Sequence, residues 1–169
     1  MTSEEDLQKI KDRITQWLTE EGYSISEQEE DNPGDINKFV LRIGKNGSTL
    51  FHVVKPKSSK DRIVVGRGLT LEDIDQIAYS RLYDDIKRKF VHELMSGLIL
   101  MKVITAFDPP HPEQSIKTIR VMKAIYPDGL SKDRLFEIVN EVLLAYAFIM
   151  LKFGEFNISS RPFDPNLYI

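Results

Sequence analysis

The chain has 169 residues, 41% hydrophobic and 29% charged, a balance that suits one globular domain and excludes a disordered or membrane-spanning chain. It contains no cysteine, which removes disulfides, thiolate metal sites and cysteine nucleophiles together. The net charge of −3 is unevenly spread: residues 1–35 hold eleven acids and three bases, and residues 36–69 hold eight bases and the single acid Asp61.

Leu7, Ile10, Ile14, Trp17 and Leu18 recur at helical spacing and predict a first helix. Thr2 or Ser3 can cap its start, and Gly22 supplies a left-handed stop. Four β segments follow. Tyr23 and Ile25 alternate with serines and lead into the acidic run Glu27–Asp31 and the turn Asn32-Pro33-Gly34. Phe39, Leu41 and Ile43 share one face of the second segment. Asn46-Gly47 is a hairpin turn, because both residue types accept positive φ. Leu50, His52 and Val54 alternate with Phe51 and Val53 in the returning strand, and Arg62–Val65 is the fourth. The connections are too short for helical crossovers, so the sheet is antiparallel.

Thr70 with Asp73 opens the next helix by the same capping pattern. Its stripe of Leu71, Ile74, Ala78, Leu82, Ile86, Phe90, Leu94 and Leu98 predicts a long run with a bend at Tyr79–Leu82. That run stops only at Asp108-Pro109-Pro110, where proline lacks the amide proton. β-branched alternation within residues 115–126 predicts a strand, Pro127-Asp128-Gly129 its turn, and Ser131 the cap of a last helix that ends at Gly154. The domain is expected over 1–153, with an irregular tail over 154–169 that keeps Phe156, Phe163, Leu167, Tyr168 and Ile169.

Two apolar stretches, residues 94–107 and 142–151, carry one charge between them, Lys102. Both fall short of the roughly 20 apolar residues of a membrane span. The acidic start lacks the basic-then-apolar pattern of a secretory signal, so a cytoplasmic location is expected and no membrane partner. A helix apolar all round needs cover on more than one side. The expected cover is a second copy of the chain, meeting at Leu98, Met101 and Ile104.

The motifs are mostly failures. Gly66-Arg67-Gly68-Leu69-Thr70-Leu71 lacks the third glycine of a dinucleotide turn, since Leu71 stands there. Gly44-Lys45-Asn46-Gly47-Ser48-Thr49 has phosphate-loop residues in the wrong order. His92-Glu93 would need a second histidine where Ser96 stands. The three histidines, 52, 92 and 111, show no ligand spacing. No catalytic centre, metal site or cofactor site is expected. The basic group from Arg42 to Arg67, interleaved with Phe39 and Phe51, has the ingredients of a single-strand nucleic-acid platform. The pI near 5.7 and the core-like alternation weigh against it.

The element order, and above all the strand–turn–capped-helix junction Ile119–Leu135 (IRVMKAIYPDGLSKDRL), resembles the type III secretion chaperone-like fold. Over residues 3–153 the chain is similar to an uncharacterised archaeal family known as a domain of unknown function. That fold has a strand pair between its last two helices, where one clear strand is found here. The resemblance implies an α+β homodimer that binds protein segments and has no active site. The expected function is therefore non-catalytic protein binding, chaperone-like or adaptor. The alternative is a nucleic-acid-associated protein using residues 36–69. The candidate groove for a partner lies at Ile14, Trp17 and Leu18 of the first helix with Tyr23 and Ile25.

Overall fold

The computed structural model describes residues 4–28, 37–57 and 62–158. Within them lie four α-helices and six strands of an open antiparallel sheet, an α+β fold. The expected cap at Thr2 or Ser3, the turn Asn32-Pro33-Gly34 and the tail residues Phe163, Leu167, Tyr168 and Ile169 lie outside the described residues.

Helix α1 spans Glu4–Glu20 and turns Leu7, Ile14 and Leu18 inward. It ends as its glycine requires: Gly22 has φ +79°, and the amides of Gly22 and Tyr23 bond back to Thr19 and Leu18, both at 3.0 Å. Strands β1 (Ser24–Glu27), β2 (Asn37–Lys45), β3 (Ser48–Pro56) and β4 (Ile63–Thr70) follow. Asn46 and Gly47 both take positive φ in the β2–β3 turn, and Lys45 pairs with Ser48 across it. The cross-strand pairs Phe39–Lys55, Leu41–Val53 and Ile43–Phe51 lie on one buried face. Arg42 and His52 pair on the other, more open face.

Helices α2 (Asp73–Ser80) and α3 (Asp84–Leu100) replace the expected single run, with the break at Arg81–Tyr83. Thr70 does not cap α2. It belongs to β4, where its hydroxyl lies 3.4 Å from that of Thr118, and the N-cap of α2 is Glu72, which makes no side-chain capping bond to the helix. The larger correction comes at the other end. α3 stops at Leu100, and residues Ile104–Asp108 form strand β5, not helix. Lys102 takes φ +56° and its amide bonds to Ile99 at 3.0 Å, a left-handed stop made without glycine. The β-branched run Val103-Ile104-Thr105 then suits a strand, and Ile104–Asp108 pairs in register with Thr118–Met122 of β6 (Thr118–Ile125). The missing member of the strand pair is thus present.

The last helix, α4, spans Lys132–Glu155, one residue past the expected Gly154, and its Arg134 amide donates to Ser131 Oγ at 3.2 Å. The strand order is β1-β2-β3-β4-β6-β5. By contacts the chain divides into two compact units, 1–66 with 123–140 and 67–122 with 141–169. In the first, the Tyr23 ring meets Phe51 edge-on at 5.8 Å and stacks on Phe136 at 6.4 Å. In the second, Phe90 gathers Tyr79, Phe153 and Phe156 at 5.8, 5.0 and 5.2 Å.

Candidate functional site

In the first unit the five residues expected at a partner groove differ in exposure. Ile14 and Leu18 have no exposed surface, because they are the inward positions of α1. Trp17 is half-buried one position round the helix, with the Arg13 guanidinium 5.1 Å from its ring. Tyr23 is held between Phe51 and Phe136, and burial, then the charge of Glu21, pushes its phenol above the ordinary value. Ile25 is half-buried on β1. Trp17, Tyr23 and Ile25 therefore keep some surface, while the two aliphatic anchors do not.

Open space lies elsewhere in that unit. A cleft of about 350 Å³ runs beside the N-terminal half of α1, with Leu7, Lys11, Lys38, Phe39 and Lys57 in its lining. A smaller one of about 210 Å³ lies against β1 and the β2–β3 turn, where Ser24, Ser26, Arg42 and Thr49 face it.

The described bases of residues 36–69 differ in exposure and surroundings. Lys55 is 1% exposed on the buried sheet face, and Arg67 lies 3.6 Å over the Tyr146 ring. Lys60 is outside the described residues. Phe39 and Phe51, the would-be stacking aromatics, are 8% and 0% exposed. Glu20 and Glu21 pair with Lys132 at 3.0 and 2.9 Å, and hydrogen bonds from Lys132, then Gln16, hold the Glu20 carboxyl below the usual range.

In the second unit α3 and α4 run antiparallel. Lys152 donates to Glu93 at 3.1 Å, and one turn further the Phe148 ring covers Gly97. The same register carries Leu100 and Met101 level with Leu144 on the next turn. Leu100 is 81% exposed, Leu144 63% and Leu151 46%. Leu144, Phe148 and Leu151 share one face of α4 by helical spacing. Lys152 closes the rim, bonded also to Glu155 at 2.6 Å, and these two carboxylates, Glu155 first, raise its pKa. Beyond α3 comes β5, the last strand in the order, so its outer edge has no strand partner among the described residues. Ile104 on it is 52% exposed. Of the three residues expected at a second copy, Met101 is half-buried and Ile104 exposed. Leu98 is 0% exposed inside its own chain.

Sequence reasoning did not single out Leu144 and Leu151 as surface residues. Their signal is the helical spacing of 144, 148 and 151 opposite the buried stripe Val142, Tyr146 and Ile149. Among the described residues no group of three or more His, Asp or Glu is placed to hold a metal ion, and no helix is long and apolar enough to cross a membrane. His92 and His111 are exposed, and His52 is a half-buried strand residue.

No curated protein matches the chain. Its fold is similar to the crystal structure of an uncharacterized protein from Methanothermobacter thermautotrophicus, with a TM-score of 0.74 and 24% identity, covering 85% of this chain and 96% of that one. Residues 10–153 match the family described as "Uncharacterized conserved protein (DUF2299)", and the chain belongs to that family.

Proposed function

We propose that this chain is a non-catalytic, protein-binding homodimer of a chaperone-like or adaptor kind, working in the cytoplasm. The reading is supported by the exposed apolar side chains of Leu100, Leu144 and Leu151, together with an open edge on β5 in the same unit. A bare strand edge offers a row of backbone donors and acceptors, and proteins that stay monomeric guard such edges with lysine, proline or a covering element. Ile104–Asp108 carries no lysine or proline. A second copy related by a two-fold axis would satisfy both features with one surface. The order of helix, strands, helices, strand pair and helix supports a type III secretion chaperone-like fold, since β5 and β6 supply the pair between the last two helices.

Light scattering after size exclusion tests the assembly and should return a dimer mass. A clean monomer at about ten times micromolar concentration, far above what a stable interface needs, overturns it. Protein binding is tested by retention of partners from native lysate on the immobilised chain. The nucleic-acid reading is the weaker one, because base stacking needs exposed rings and Phe39 and Phe51 are buried. A labelled oligonucleotide should show no salt-sensitive shift.

A further inference from the structure

The cleft beside α1 is used neither by the core nor by the proposed dimer surface. Its floor is apolar, with Leu7 and Phe39 each 8% exposed. Three elements bring lysines to it: Lys11 from α1, Lys38 from β2 and Lys57 just past β3. Successive strand residues point to opposite faces, so Lys38 and Phe39 should not line the same space. A register shift between residues 37 and 39 breaks the alternation and re-aims the strand there.

The charges in this cleft are unequally engaged. Lys11 is already paired with Glu27 at 2.5 Å. Lys38 and Lys57 are exposed and have no carboxylate partner among the described residues. Glu4 is the one acid in the lining, and Gln8 is bonded to Asp12 at 2.7 Å. A volume of about 350 Å³ sits at the low end of the ~300–1,000 Å³ typical of ligand sites. It suits one large apolar side chain with the backbone on either side, not a folded surface.

We propose that this cleft holds an extended acidic segment of a partner protein, with a Phe or Leu seated on Leu7 and Phe39 and flanking carboxylates on Lys38 and Lys57. The proposal rests on the protein-binding reading and names its client chemistry. Charge complementarity selects the acid, and the apolar floor selects a peptide over a bare anion. Phosphate backbones would engage the lysines but leave the floor empty.

Fluorescence anisotropy tests it with a dye-labelled peptide carrying one Phe between pairs of Glu. The wild-type chain should bind it, with affinity that falls as salt is added. Replacing the peptide's Phe by Ser should weaken binding, and replacing its Glu by Lys should abolish it. The double variant Lys38→Gln, Lys57→Gln should bind about tenfold more weakly, the loss of two half-exposed charge pairs. Both lysines are solvent-facing, so its thermal midpoint should match wild type. Equal binding by that variant, or by the Ser peptide, overturns the proposal, and so does displacement of the peptide by an oligonucleotide. No anisotropy change in a chain that still retains lysate proteins overturns the cleft alone. A chain that retains none removes the protein-binding reading as well.

Discussion

The ring of Phe148 lies directly over the bare α-carbon of Gly97, and a Cβ built at 97 would overlap the ring's far edge. Gly97 is thus the point at which α3 admits α4 to close range, in spite of the propensity cost of glycine in a helix. Gly97→Ala is expected to destabilise the fold by about 1–3 kcal/mol through overpacking, less whatever alanine returns in propensity. Adding Phe148→Leu should restore part of the loss. Urea unfolding of the two single variants and the pair checks this as a coupling between neighbours.

Leu144 and Leu100 face solvent, so a charge at either leaves the monomer's core intact. Leu144→Glu, and more strongly Leu100→Glu with Leu144→Glu, should convert the proposed dimer to monomer. Circular dichroism should stay unchanged. Light scattering across a dilution series reads the outcome, and an unchanged mass would place any self-association elsewhere.

Tyr79 is 1% exposed, its hydroxyl donates to the Pro112 carbonyl at 2.6 Å, and burial, then the charge of Glu113, pushes its pKa up to about 12. Because the folded chain prefers the protonated phenol, this contribution is present below pH 10 and is lost as pH rises from 10 toward 12. Tyr79→Phe should cost on the order of 1–2 kcal/mol at neutral pH, the price of a lost buried hydrogen bond. It should also flatten the alkaline limb of the stability–pH curve. Denaturant midpoints taken at pH steps across that window measure both effects.

Ser131 caps α4 through the Arg134 amide. Ser131→Ala should lower stability by about 1 kcal/mol, and Ser131→Asp should keep most of it, since aspartate caps equally well and favours the positive helix end. Thermal unfolding of the three chains side by side decides this.

Several features were legible in the residues alone because their chemistry is local. Gly22 ends α1, Asn46-Gly47 turns the hairpin and Ser131 caps α4, each by a backbone angle or a bond within a few residues. The inward positions of α1 and α4 follow from helical spacing, so Ile14, Leu18, Val142 and Ile149 belong to the core. What tertiary structure decided is the fate of residues 94–107. A run this apolar satisfies a helix or a strand equally well, and the alternative was settled by pairing with the following strand β6. Lys102 could then stop α3 in a left-handed turn that its own propensity disfavours. Within the same run Leu98 is buried while Leu100 and Ile104 stay outside. A bulge in β2, invisible to a pattern of alternation, set Lys38 beside Phe39. Local angles are written residue by residue, whereas the choice of which apolar side chain stays exposed depends on what the rest of the chain has already covered.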